Sequence, residues 1–398
     1  MWEQIRANRI RSGFIVVFMG ALLVFVGFAL GLYFFGSAEA GALIAIVVWA
    51  IMMLVAFSQG DNILLSLGKA HKIKKEDHPR LYNIVEEMTI ASGLPKMPDI
   101  YIIDDPAPNA FATGRKPDKA AVAVTSGLLQ KLNRDELQGV IAHELGHIGN
   151  RDTMLMAIGS IMLGTIVILA YYGSRVMFFS GGNRRSSSSG GGSGGAILLI
   201  VALVLLILAP IAARLLYFAL SRKREYLADA SSALYTRYPE GLASALEKIS
   251  GSRTQLKAAN NATAPMYIIN PFRKKGMAAS DLTSTHPPTS KRIQVLRSMS
   301  GASFGEYDAA FKQVAGKRGV VPASTMAAVA AMPLREASEE ADKAADTEVK
   351  RAREVGDVLW RKNQYRTIDC QCGARLRVPP GIKASNVRCP RCGTVHQL

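Results

Sequence analysis

Cysteine is nearly missing from this chain. Of 398 residues only four are cysteine, and none precedes Cys370. That excludes a disulfide scaffold and favours a reducing compartment. Acidic residues are also scarce: 31 Asp and Glu stand against 48 Lys and Arg, for a formal net charge of +17. Such an excess suits a membrane surface, an acidic partner or nucleic acid. Charge is absent from several long stretches, and 49% of the chain is hydrophobic, high for a soluble enzyme. The first apolar run is not followed by a small-residue cleavage site, so it is expected to remain as an anchor and not to leave as a signal peptide.

What is present begins with four apolar runs. Residues 13–35 carry no charge, and at 1.5 Å per residue they reach ~35 Å, enough to cross a bilayer. Residues 41–57 form a second run, short enough that a re-entrant segment is the alternative to a span. Arg6, Arg9 and Arg11 precede this pair and Lys69, Lys72, Lys74 and Lys75 follow it, with only Glu39 between. The positive-inside rule therefore puts both outer ends in the cytoplasm. Residues 154–179 and 196–220 form the second pair, separated by a Gly/Ser loop over 180–195. Pro210 is expected to kink the last run, and Arg214 to snorkel towards the surface.

Between the pairs, residues 78–92 show helical periodicity ended by Gly93 and Pro95. Residues 99–103, 109–114 and 121–125 look like strands of a small sheet. The strand over 109–114 reads either as a simple sheet edge or as an edge that pairs with an extended peptide. Next comes Asn133-Arg134-Asp135-Glu136, a helix start with Asn133 as N-cap and acids in the first turn. On that helix lies His143-Glu144-Leu145-Gly146-His147, an H-E-x-x-H motif among apolar Leu137, Val140, Ile141 and Ile148. Histidines four apart share a helix face and can grip one Zn²⁺, with Glu144 beside them to take a proton from attacking water.

A third ligand is sought on the same side of the membrane. Two crossings return the chain to the face it left, so the segment Arg224-Glu225-Tyr226-Leu227-Ala228-Asp229 lies on the side of the histidines. Helical spacing puts Glu225 and Asp229 on one face. Glu225 is the natural third zinc ligand, and Asp229 the acceptor for a ligand histidine's other N–H. A salt-bridged helix start is the ordinary alternative, given Arg222, Lys223 and Arg224. Further on, Thr285-His286-Pro287-Pro288 opens another helix with Ile293 and Leu296 facing inward. His286 reads as a loop histidine, with a place at the mouth of the site as the second possibility. Residues 318–362 read as a linker: Ala-rich, then charged, a solvated helix with little core of its own.

The tail holds Cys370-Gln371-Cys372-Gly373 and Cys389-Pro390-Arg391-Cys392-Gly393. Two cysteine pairs, each followed by glycine, make the two turns of a zinc ribbon and imply a second, structural Zn²⁺. One residue, not the usual two, separates the first pair, and His396 is a fallback ligand. The ribbon is expected to dock a protein partner or the protease domain itself. Nucleic acid is not expected, because the tail lacks aromatics interleaved with its basic residues.

These motifs together resemble the HtpX-type heat-shock membrane zinc metalloproteases, relatives of the CAAX prenyl endopeptidases, over residues 1–300. The residues that carry the resemblance are Asn109-Ala110-Phe111-Ala112-Thr113-Gly114, the H-E-x-x-H, the segment from Arg224 to Asp229, and Thr285-His286-Pro287-Pro288. The resemblance implies that His143, His147 and Glu225 hold catalytic zinc, that Glu144 is the base, and that Asn109 and Ala110 line a substrate-holding strand. It draws His286 into the site, where it or Arg292 would stabilise the transition state. The expected fold is α+β, mainly α: four transmembrane helices, a cytoplasmic gluzincin-like protease domain with a small sheet, and a C-terminal zinc ribbon. The expected divisions are 1–57 and 154–220 for the membrane hairpins, 58–153 and 221–317 for the protease halves, 318–362 for the linker and 363–398 for the ribbon. The expected activity is peptide-bond hydrolysis in an inner (plasma) membrane, on misfolded or membrane proteins. A dedicated CAAX-like processing protease, or a tethered ribbon without catalysis, are the alternatives.

Overall fold

The computed structural model describes residues 2–114, 116–180, 193–257, 266–269, 286–316, 319–326, 331–338, 347–382 and 384–398. Most of the Gly/Ser loop expected at 180–195 lies outside them, as does Thr285. The first two apolar runs lie within α1 (Trp2–Phe35) and α2 (Ala38–Leu67). These pack almost backbone to backbone: a Cβ added to Gly41 would meet Gly27 O at 2.1 Å and Gly31 Cα at 2.5 Å. The second run is not a short helix. α2 continues ten residues past residue 57, and its end packs against the sheet, where Leu64 and Leu65 are buried against Ile103, Phe111 and Ala123.

A four-stranded sheet follows, of order β1-β2-β4-β3. The expected strands are β2 (Asp99–Ile103), β3 (Ala110–Thr113) and β4 (Ala121–Thr125). β1 (Ala70–Lys72) is an addition, a three-residue strand antiparallel to β2 amid the lysines that read only as a membrane flank. β2 and β4 run parallel, and β3 forms the edge, antiparallel to β4 with Ala110 opposite Val124 and Ala112 opposite Val122. Side chains alternate across a strand. Ile100, Ile102, Ala110, Ala112, Val122 and Val124 therefore share one core with α3 (Pro79–Ser92) and α5 (Arg134–Gly149), while Phe111, Ala121 and Ala123 face the end of α2. The short α4 (Ser126–Lys131) links sheet and α5. Asn133 and Glu136 close a capping box, each side chain bonded to the other's backbone N–H at 2.9 Å.

After α5 the chain turns at Arg151, φ +59°, into α6 (Thr153–Ser180). α7 (Ser193–Thr236) is one helix of 44 residues, about 66 Å long. Its first part is the fourth apolar run, and its last part carries Glu225 and Asp229. α1, α2, α6 and α7 pack as a bundle around Met19, Leu23, Val26, Ile158, Met162, Ile166 and Ala213. Among the described residues, α2 is long and apolar enough to cross a membrane by length and composition, and a shorter apolar stretch runs Val16–Leu32. α8 (Pro239–Ser250), α9 (Thr289–Arg297) and α10 (Phe304–Ala315) complete the half that holds the sheet. On α9 the inward positions are Arg292, Val295 and Leu296, with Ile293 half-buried.

The region expected as a solvated linker departs from that reading. Its helix, Glu348–Lys362, buries Val355, Val358 and Leu359 in the main core beside α4. Arg351 Nε donates to Gln130 O at 2.8 Å, and Lys362 pairs with Asp77 at 2.8 Å. The apolar positions recur at i, i+3 and i+4, a helical stripe that the surrounding charge obscured. Asp357 of the same helix takes Arg375 and Arg377 from the cysteine tail, and the Arg377 guanidinium lies over Trp360.

His78 N-caps α3: its Nδ1 accepts the Leu81 N–H at 3.2 Å. Burial, with Arg80 adding to it, pushes this histidine down to about 4. A histidine lowered on folding contributes stability that is present above the unfolded pKa of ~6.5 and is lost as pH falls towards ~4. Between pH 7 and pH 5 the protein should lose about 2 kcal/mol from this group alone. His78→Asn keeps a capping acceptor and should flatten that slope, read as the shift in thermal midpoint between the two pH values.

Candidate metal centre and active site

α5 and α7 cross where α5 has no side chain. A Cβ on Gly146 would lie 2.9 Å from Ser231 Cβ and 3.3 Å from Ala228 Cα, so glycine allows the backbones to meet. Ser232 Oγ donates to Gly139 O at 2.8 Å and ties the same two helices one turn or two further along. This contact brings Glu225 to the histidine pair. Glu225 Oε2 stands 3.7 Å from His143 Nε2, and Oε1 stands 3.4 Å from His147 Nε2. One ligand atom from each residue lies within 4.8 Å of the others, all three residues being buried. The imidazole planes are set at 88° to each other with centroids 4.8 Å apart.

Each ligand histidine has a carboxylate behind it. His143 Nδ1 is 3.0 Å from Asp229 Oδ1, and His147 Nδ1 is 3.4 Å from Asp152 Oδ2. Each carboxylate in turn faces an arginine. Arg292 grips Asp229 with two bonds of 2.8 and 2.6 Å, and Arg224 Nε lies 3.5 Å from Asp152 Oδ1. Such partners fix ring orientation and tautomer at a metal site. The Asp152 and Arg224 roles were not read from the sequence. The available signal was an acid one turn past the second histidine, just beyond the end of the helix.

The donor set fits a divalent cation. His143 Nε2 and Glu144 Oε1 are buried with no hydrogen-bond partner, an arrangement that costs free energy unless something charged or polar meets them. Burial pushes His143 down to about 4 in spite of Asp229, so this ring is neutral and free to donate its lone pair. Burial opposes charge on His147 too, but Asp152 and Glu225 outweigh it and hold it up to about 10, which marks the ground beside Glu225 as a place for positive charge. Glu225 is held well below the usual carboxylate range: burial works against it, and His286, His147 and Arg292 prevail. Glu144 goes the other way. Burial raises it to about 7, with His147 and a backbone hydrogen bond from Ala112 pulling it down. A carboxylate poised near neutrality can both take and return a proton.

The remaining candidates fall as follows. His286 is buried, with Nε2 3.8 Å from Glu225 Oε2, so the loop reading gives way to a place at the metal site. Arg292 is also there, its Nη1 3.3 Å from Glu225 Oε2, but its guanidinium is largely committed to Asp229. Ala110 opens the edge strand β3 with Asn109 just before it, and Ala112 of that strand touches Glu144. In the tail, the four thiols Cys370, Cys372, Cys389 and Cys392 converge within 4.8 Å of one another, without His396. Cys370 Sγ and Cys392 Sγ are 3.4 Å apart, Cys372 Sγ and Cys389 Sγ 3.6 Å. A tetrahedron with Zn–S arms of ~2.3 Å has edges of ~3.8 Å.

Residues 75–300 match the model of peptidase family M48. The chain belongs to that family. It is 47% identical over 305 residues to a protease HtpX homolog of Dictyoglomus turgidum, which covers 75% of this chain and 94% of the relative. It is 43% identical over 300 residues to a protease HtpX homolog of Levilactobacillus brevis, covering 75% of this chain and all of the relative. Among solved structures, S. mikatae Ste24p aligns with a TM-score of 0.42 at 20% identity, over 74% of this chain and 67% of the other. This M48 chain is a metalloprotease.

Gly139 is as constrained as Gly146. A Cβ there would lie 2.6 Å from Leu242 N and 2.9 Å from Leu242 Cα, both rigid backbone. Gly139→Ala should therefore push α8 off α5, cost about 1–3 kcal/mol in stability, and lower zinc retention after dialysis against a chelator. A thermal melt and metal analysis on the purified variant check both.

Proposed function

We propose that this M48 metalloprotease is an integral membrane endopeptidase, with four spanning helices and its catalytic half at the cytoplasmic face of the inner (plasma) membrane. The single observation that carries the catalytic reading is the meeting of His143, His147 and Glu225 with a partnerless, buried Glu144 oxygen beside them. The membrane reading is supported by where the bundle keeps its large apolar side chains. Phe25, Leu43, Val47, Ile51, Leu54, Ile168 and Ile207 face outward, the arrangement expected where lipid is the solvent. The substrates proposed are misfolded or membrane proteins that offer an extended segment to β3.

His143, His147 and Glu225 would hold a zinc ion, which would supply Lewis acidity and make an attacking water available as a nucleophile near neutral pH. Glu144 takes the proton of the attacking water and delivers it to the leaving amine; its pKa near 7 suits both transfers. His286, with Nε2 3.8 Å from Glu225 Oε2, would donate to the developing oxyanion. Asp229 and Asp152 keep the ligand rings turned inward, and Arg292 keeps Asp229 ionised. Substrate orientation falls to β3, whose edge lies beside Glu144.

The tail's four thiols hold a second, structural zinc in this reading. Both turns are closed by backbone bonds, Gly373 N–H to Cys370 O and Gly393 N–H to Cys389 O at 2.9 Å, with both glycines at φ near +80°. The ribbon sits on the helix Glu348–Lys362 and through it on the protease half, with its outer face left for a protein partner.

Glu144→Gln should keep its zinc and lose cleavage of an unfolded membrane-protein substrate by at least about 10³-fold, whereas His143→Ala should lose the catalytic metal. Retained proteolysis by zinc-loaded Glu144→Gln would overturn the assignment of the base. The double substitution Cys389→Ser with Cys392→Ser should lower bound zinc from two ions per chain to one while cleavage continues, measured by metal analysis beside the same assay.

A further inference from the structure

α5 and α7 run antiparallel, and their contacts follow in sequence from the metal ligands outward. Gly146 meets Ala228 and Ser231, and Gly139 meets Ser232. Small residues bring the backbones close but present shallow ridges against sliding or swivelling. Register matters here. A slip of one residue along α7 moves Glu225 by about 1.5 Å and turns it by about 100°. That would carry it away from the imidazoles that it faces at 3.7 and 3.4 Å.

A second fixed point lies past the crossing. Residues 331–338 come after the 75–300 match to family M48 and lie across the outer ends of both helices. Met332 first pairs with Ala302 in a short antiparallel bridge. Arg335 then reaches both helices at once. Its Nη2 donates to Asp135 Oδ1 and to Gln138 Oε1 of α5, each at 2.9 Å. Its Nε donates to Thr236 O at the end of α7, and its backbone N–H to Arg237 O, both at 2.9 Å. The guanidinium lies 4.8 Å from the centre of the Tyr238 ring. Ser338 N–H takes the other Asp135 oxygen at 2.8 Å. Carbonyls in the last turn of a helix have no partner within it. One planar fork therefore serves the open end of α7 and the acidic start of α5 together. Asp135 is buried and Arg335 mostly so, which limits screening of their pair by water.

We propose that Arg335 is a positioning residue for the metal centre: it staples the start of α5 to the end of α7 and so fixes the register in which Glu225 meets His143 and His147. It acts through the two helices and not by contact with a ligand. The staple lies about 16 Å from the crossing along α5 and about 12 Å along α7, a lever long enough to oppose swivelling about Gly146. The inference rests on the ligand assignment above. Without the staple all three ligands remain, but the crossing alone holds their geometry. Metal release then quickens and the reacting geometry loosens, while β3 is untouched.

The test challenges full-length, zinc-loaded protein in detergent with a chelator, at a temperature where circular dichroism finds each compared variant folded. Arg335→Ala should release the catalytic zinc about tenfold faster, the factor that one hydrogen bond to a charged group is worth. His143→Ala protein, which lacks that ion, supplies the baseline for zinc held by the tail. In the cleavage assay kcat should fall about tenfold with KM within about twofold of wild type. Arg335→Lys keeps the charge without the fork and should match Arg335→Ala within about threefold; it carries the test if Arg335→Ala does not fold. Val358→Ala opens the core on the α4 side, away from the staple. It should lower the thermal midpoint and leave zinc release and kcat unchanged. Wild-type zinc release or kcat in Arg335→Ala overturns the proposal, as does wild-type behaviour of Arg335→Lys or an equal effect of Val358→Ala. Wild-type protein that holds no more zinc than His143→Ala removes the ligand assignment instead.

Discussion

At the crossing of α5 and α7 a missing side chain does the structural work. Gly146 lets the two backbones approach until Glu225 reaches both imidazoles, whereas a Cβ there would meet Ser231 Cβ at 2.9 Å and Ala228 Cα at 3.3 Å and force a shift at the crossing. Everything near that crossing is a consequence of burying charge there. Glu225, Asp229 and Asp152 are each almost wholly out of solvent, and an isolated ion in such a place would be prohibitively costly. The cost is met by alternation of sign: carboxylate, imidazole, carboxylate, guanidinium. Removing any one member leaves its neighbours uncompensated.

The four-helix bundle and the protease half are built from shared helices. α7 carries an apolar run and Glu225 on one rod, and α2 leaves its own run to pack beneath the sheet. Asp61 of α2 accepts from Thr113 at 2.9 Å, and Thr153 at the start of α6 donates to Gly114 O at 2.6 Å. The far end of β3 is thus clamped by two of the bundle's helices, next to Ala112, which touches Glu144.

The tail is tied in more firmly than its charge suggests. The helix Glu348–Lys362 contributes apolar side chains to the main core, and its Asp357 and Trp360 receive the arginines of the cysteine turns. The four-cysteine tail is consequently held at the α4 side of the protease half through one intervening helix.

Local pattern was enough for much of this. Helical spacing placed His143 with His147 and Glu225 with Asp229, because a regular period depends on sequence offset alone. Strand alternation marked β2 and β4, and Asn133 announced its helix. What stayed hidden depends on contacts between distant segments. β1 is three residues without an apolar pattern, and it is a strand only because β2 offers it a partner. Asp152 and Arg224 look like any charged residues at helix ends until α5 and α7 meet. His286, polar and between loop signals, reads as exposed until α9 brings it against Glu225. By itself the sequence determined the elements, the histidine pair and the cysteine turns. Only the tertiary structure decided which charges are buried together, since the energy of a buried ion is set by neighbours that no local period encodes.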